Sequence, residues 1–115
     1  MSDIQKLTKQ VVKFRDERNW KQFHNPKDLA LSLLLEAGEV LEHFQWLNKK
    51  EIDKYVKNSK ADISDEIADV LKYLLLFCDS LNIDLAKAVQ KKIVKDDAKY
   101  PIAKSYGKHT KYNKL

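Results

Sequence analysis

The segment Glu36-Ala37-Gly38-Glu39-Val40-Leu41 returns thirty positions later as Glu66-Ile67-Ala68-Asp69-Val70-Leu71, so the pattern acid-x-x-acid-Val-Leu occurs twice. In an α-helix, residues three and four apart share one face. Counting about 100° per residue from Glu36 puts Leu33, Ala37, Val40, Leu41, Phe44 and Leu47 in one stripe, with Glu36 and Glu39 along its edge. The same count from Glu66 gives a stripe of Ile67, Val70, Leu71, Leu74, Phe77 and Cys78, flanked on the same side by Glu66 and Asp69. Two amphipathic helices are expected, each with a carboxylate pair bordering its core-facing stripe.

A single acid pair of this kind is commonly the solvated flank of a helix. Two pairs in matched apolar phase carry more information. Carboxylates gathered at the edge of a core repel one another and cost free energy to desolvate unless a cation neutralises them or they share protons. Mg²⁺ prefers oxygen ligands, keeps several waters and is usually held by a few carboxylates together with substrate phosphates. Mn²⁺ suits the same donors.

Composition supports helices throughout. With two glycines and two prolines in 115 residues, the chain has almost no material for hairpin turns, and its abundant Leu, Lys, Ala, Glu and Asp favour an all-α fold. One domain is expected, at a size where association often supplements burial. The N-terminus lacks a hydrophobic signal region, and apolar runs such as Leu74 to Cys78 are far too short to span a bilayer. A soluble, cytoplasmic protein with no membrane partner is therefore expected. Cys78 is the only cysteine, so no intrachain disulfide can form, and its place in the stripe marks it as a small core residue.

The net charge of +5 suggests nucleic acid until it is located. Five lysines and no acids lie between Lys99 and Leu115, which leaves the preceding 98 residues formally neutral. The division expected is a helical domain over 1–100 and a basic tail over 101–115. The basic stretch from Lys99, with three tyrosines, could bind phosphates, nucleic acid or a neighbouring subunit, but such tails are usually solvated, so nucleic acid is not the expected partner.

Along the chain, a first helix is expected from about Ser2 to Arg18, then a loop Trp20 to Asn25 with two aromatics and His24. A second helix should start near Pro26 or Lys27 and run to about Leu47. A short helix is expected over 48–60 through Ile52, Tyr55 and Val56. A third long helix should follow from about Asp62 to Leu81 with Asp62 or Ser64 as N-cap, and a last one from about Asp84 to Lys99. A plain hairpin would leave the two acid pairs about 10 Å out of register at 1.5 Å per residue. Residues 48–62 must fold back along the second helix to correct this, or the pairs must meet across a subunit boundary.

With these residues in view, the chain resembles the all-α nucleoside triphosphate pyrophosphohydrolases of the MazG type, and within them the dCTP pyrophosphatase branch. The resemblance rests on Arg18-Asn19-Trp20-Lys21-Gln22-Phe23-His24, Glu36-Ala37-Gly38-Glu39, Phe44-Gln45-Trp46, Asp69-Val70-Leu71-Lys72-Tyr73-Leu74 and Lys99-Tyr100-Pro101, and covers most of the chain. It implies a four-helix-bundle-like fold with a short extra helix between the two metal-binding helices. It implies Mg²⁺ on Glu36, Glu39, Glu66 and Asp69, and hydrolysis of a triphosphate such as dCTP at its α-phosphorus to monophosphate and pyrophosphate. By the same resemblance, Glu36 or Glu39 orients or deprotonates the attacking water. Trp20, Trp46 and Tyr73, with His24 nearby, would form a base pocket; aromatic faces stack on a nucleobase without directed hydrogen bonds. The family's phosphate motif falls on Lys92, Asp96, Lys99, Tyr100 and Pro101, with Asp96 where the family has asparagine. A carboxylate beside a triphosphate is repulsive unless it faces a metal or a lysine. Homodimers or homotetramers are also implied.

The competing reading is a non-catalytic helical module whose basic tail holds nucleic acid or a protein partner. A di-iron carboxylate bundle fits poorly, because those sites use Glu-x-x-His and here His43 stands four after Glu39 with no histidine following Asp69. His43 has ligand spacing, yet a packed or surface histidine is the commoner case.

Overall fold

The computed structural model describes residues 1–115 and is built of helices with no strand. Helix α1 spans Asp3–Glu17, α2 Pro26–Glu42, α3 Lys49–Ser80, α4 Leu85–Lys99 and α5 Ile102–Ser105, with single 3₁₀ turns at Lys21–Phe23 and Tyr112–Lys114. No helix is long and apolar enough to cross a membrane. The chain divides into two compact units, Met1–Ile83 and Asp84–Leu115.

In the first unit the helix starts follow local chemistry. Ser2 caps α1 through a reciprocal pair of hydrogen bonds with Gln5, satisfying two of the backbone donors that a helix start leaves open. The Asn25 side chain accepts from the Asp28 amide at 2.9 Å, and Pro26 occupies the first turn, where its missing N–H costs nothing. Asn48 and Glu51 form a second capping box at the start of α3.

That last cap alters three expectations. The second helix stops at Glu42, five residues short of Leu47, because the chain tightens into 3₁₀-like bonds (Phe44 N to Leu41 O, 2.9 Å; Leu47 N to Phe44 O, 3.1 Å) before Asn48 starts the next helix. The short helix expected over 48–60 is present as the first limb of α3, joined to the long limb at Ser59, whose φ of −119° and ψ of 17° make a kink. Asp62 and Ser64 therefore cap nothing: both lie within the helix, and the Ser64 hydroxyl donates back to the Lys60 carbonyl at 2.7 Å.

Helix α3 packs against both α2 and α1. The core comprises Leu29, Ile63, Leu75, Leu76 and Cys78, with Leu29 only 1% exposed. Burying such a side chain stabilises the fold by about 1.5–3 kcal/mol. Leu33, Val40, Phe44, Val70, Leu71, Leu74 and Phe77 are half-buried, in keeping with the expected stripes, whereas Ala37, Leu41 and Ile67 are exposed. The reason is angular: Leu41 shares a second, outward stripe of α2 with Leu31, Leu34 and Leu35, all exposed, which the neighbouring α3 cannot reach. Cys78 is buried and unpaired, and burial pushes its thiol pKa up, as befits a packing residue.

Arg15 is the one buried charge, 4% exposed, and it donates to Asp16 at 2.9 Å and to Asp79 at 3.2 Å, tying α1 to the end of α3. Burial opposes its charge, but the two carboxylates outweigh burial and raise its pKa further.

In the second unit, the Asp84 side chain caps α4 by accepting from the Lys87 amide at 3.0 Å. Beyond Pro101 the basic segment forms α5, a turn through Gly107 at φ 73°, and a last 3₁₀ turn in which Tyr112 meets the Tyr100 ring edge-on at 6.1 Å.

Candidate active site

Two asparagines in the left-handed region shape the helix ends of the first unit. Asn19 and Asn82 both have φ 53°. After α1, the Asn19 amide donates to Asp16 O at 3.0 Å and the Trp20 amide to Arg15 O at 3.1 Å, the paired bonds of a Schellman motif. The chain thus turns back sharply and places Trp20 edge-on against Phe14, ring centroids 5.9 Å apart. The Arg18 guanidinium lies 3.5 Å over the other ring of this pair, Phe14. Asn19 was only part of a motif word in the sequence; its backbone role is what aims Trp20.

Trp20 forms one wall of a cavity of about 120 Å³. Val11, Phe14 and Arg15 from α1, His24 from the loop, Glu36 from α2, and Asp69, Lys72, Tyr73 and Leu76 from α3 complete its lining. Five of the residues expected at the site, Trp20, His24, Glu36, Asp69 and Tyr73, are brought together here. Trp46 is not: it lies beyond the end of α2, is 85% exposed and is absent from the lining. Its expected place on the acid side of the helix depended on α2 continuing to Leu47. Lys92, Asp96 and Tyr100 belong to the second unit, where Lys92 Nζ meets Asp96 Oδ1 at 2.6 Å. The acid that replaces asparagine is therefore neutralised by a lysine one turn away. Sequence reasoning assigned no role to Lys72, which pairs with Asp69 at 3.7 Å and stands 5.4 Å over the Phe14 ring.

The acid pairs meet along the seam between α2 and α3. The Glu36 carboxyl is held above its ordinary pKa, first by burial, then by the adjacent Glu39 carboxyl and the charge of Asp69, with Lys72 acting in the opposite sense. Glu66 lies one turn further along, where its Oε2 meets His43 Nε2. Asp69 is thus level with Glu36 and Glu39, and Glu66 with the end of α2. The kink at Ser59 supplies the fold-back that the register requires. His24 is held below its ordinary pKa, first by burial and then by the positive charge of Arg15.

The donor chemistry of this seam fits a hard divalent cation. Glu36 Oε2 is buried with no hydrogen-bond partner, beside the carboxylates of Glu39 and Asp69; a cation is the partner that repelling carboxylate oxygens lack. No three His, Cys, Asp or Glu side chains come together as a metal-holding group in this structure; an ion shared with substrate phosphates takes only a few carboxylates from the protein.

Comparison with known proteins agrees with this geometry. Residues 31–115 match the model of the MazG-like family. The whole chain is 35% identical to rat dCTP pyrophosphatase 1 over 117 residues, spanning 67% of that protein. Human dCTP pyrophosphatase 1 is 33% identical over 117 residues, again with 67% of its length spanned. A crystal structure of a pyrophosphatase from Archaeoglobus fulgidus superposes with a TM-score of 0.83 at 39% identity, covering 88% of this chain and 94% of the other. All-helical architecture, paired acids on adjoining helices and these likenesses agree: the chain belongs to the MazG-like family.

Proposed function

We propose that this protein is a divalent-metal-dependent nucleoside triphosphate pyrophosphohydrolase, acting on a pyrimidine deoxynucleotide such as dCTP to give the monophosphate and pyrophosphate. The observation that carries the reading is the Glu36 carboxylate, with its raised pKa and unpartnered oxygen, in the wall of a cavity that also presents Trp20 and Tyr73.

Glu36, Glu39, Glu66 and Asp69 would hold Mg²⁺, or Mn²⁺ in its place. When bound, the ion screens the triphosphate charge that otherwise repels a nucleophile and acidifies coordinated water. The protein's own residues bind and orient. Trp20 and Tyr73 offer faces and edges to the base, and at His24 beside them burial and the charge of Arg15 favour the uncharged ring. Of the two acids considered as base, Glu36 is better placed: its carboxyl lines the cavity and that of Glu39 does not. It takes a proton from water as the oxygen bonds to the α-phosphorus and the bond to the α,β-bridging oxygen breaks, releasing pyrophosphate. Lys72, at the same opening, balances charge on the leaving phosphates. The outward apolar stripe of α2, Leu31, Leu34, Leu35 and Leu41, supports assembly with a second copy as a homodimer or homotetramer.

A panel of nucleoside triphosphates with Mg²⁺, followed by monophosphate and pyrophosphate formation, tests the reading. Turnover of a pyrimidine deoxynucleotide that falls at least about a hundredfold in Glu36→Ala and Asp69→Ala is the expected result, the loss being typical of a positioned acid or base. Turnover unchanged in both variants would refute the site.

A further inference from the structure

At the end of α2, His43 is clamped by both limbs of the kinked helix. Tyr55 Oη, from the limb before Ser59, lies 2.5 Å from His43 Nδ1. Glu66, from the limb after Ser59, meets His43 Nε2 through its Oε2, and both of these atoms are buried. The His43 ring is packed by Phe44 and Tyr55, with ring centroids 6.4 Å and 5.7 Å away, and its side chain is 13% exposed. The neutral ring satisfies the whole chain of contacts in one tautomer. The Tyr55 hydroxyl donates to Nδ1, which places the ring proton on Nε2, facing the Glu66 carboxylate.

We infer that His43, oriented by Tyr55, is a positioning residue that holds Glu66 in its metal-binding orientation. The inference rests on the metal-site reading above and deepens it. A carboxylate on a solvated helix face samples several rotamers; an N–H anchored to one of its oxygens removes that freedom and leaves the other oxygen for a cation. Outer partners of this kind typically contribute 10–100-fold to metal affinity. The same contacts bridge the kink, so the fold-back that brings Glu66 into register is pinned at Glu66 itself. Spacing alone allowed His43 as a ligand; the geometry places it behind a ligand instead.

Mn²⁺ titration of the full chain, read by the electron paramagnetic resonance signal of free Mn²⁺, tests this without reference to turnover. His43→Leu is expected to weaken Mn²⁺ binding by about 10–100-fold. Tyr55→Phe, which keeps the packed ring and removes only the hydroxyl, should weaken it by about tenfold, the low end of that range. His43→Gln should recover most of the loss, because its amide can accept from Tyr55 and donate to Glu66. In a Glu66→Gln background, His43→Leu should have no further effect. Unchanged Mn²⁺ affinity in His43→Leu, or an equal loss with and without the Glu66 carboxylate, overturns the inference, the second outcome revealing a purely structural residue. Mn²⁺ binding that is indifferent to both Glu36→Gln and Glu66→Gln refutes the metal site itself, and that failure is recognisable because it does not depend on His43.

Discussion

Glu36 and His24 face the same cavity and are shifted in opposite senses by one physical cause. Burial disfavours whichever form carries charge, so it raises the carboxyl and lowers the imidazole. For Glu36 the neighbouring carboxylates of Glu39 and Asp69 add to the effect. For His24 the pH consequence can be worked out. Its folded pKa lies below the ordinary histidine value of about 6.5, so the unfolded chain binds the proton more readily. Its contribution to stability is present above that ordinary value and is lost as pH falls through the depressed one. Thermal unfolding between pH 7 and 5, in chelator to remove any ion, should therefore show a shallower loss of stability in His24→Gln than in the parent chain. Identical slopes would mean that His24 is not held neutral. The type of these residues was readable from sequence, and so was their grouping by family likeness. Their shifts were not, because burial and neighbouring charge arise only when α1, α2 and α3 come together.

At the level of elements, ends matter more than middles. The acid pairs were legible because a helix interior obeys a single angular rule. Trp46 and the boundary of α2 were not, because competition between continuing one helix and capping the next is decided by a few hydrogen bonds at Asn48 and Glu51. Asn19 is the clearest case. A left-handed residue other than glycine costs about 1–2 kcal/mol for most side chains and less for asparagine, and here it turns the chain so that Trp20 meets the cavity. Asn19→Ala should lower stability by about 1 kcal/mol and raise KM for the nucleotide more than it lowers kcat, whereas Asn19→Gly should retain both. Paired denaturation and steady-state kinetics read the two effects. A KM unaffected by Asn19→Ala would separate this turn from substrate binding.

For the whole molecule, the small core is the informative quantity. Five buried apolar side chains serve 115 residues, while Leu34 and Leu35 remain 68% and 69% exposed on the outer face of α2. Exposed apolar stripes of this kind on one helix mark interaction surfaces, and a two-fold pairing of the same stripe on two copies is the simplest closed arrangement. Replacing Leu34 and Leu35 with lysine should reduce the mass measured by light scattering to that of one chain. An unaltered mass, or a parent chain that is already monomeric, would count against this face as the interface.

Sequence alone determined the helical class and the two acid-bearing helices, because amphipathic period and turn chemistry are local properties of a chain. It also required that residues 48–62 fold back, since rise per residue is a fixed length. Tertiary structure decided how: a kink at Ser59 rather than a loop, with His43 gripped from both sides of it. It decided too which acids stand level and which aromatic reaches the cavity. Those outcomes depend on contacts between residues far apart in the chain, whose energies no local pattern encodes.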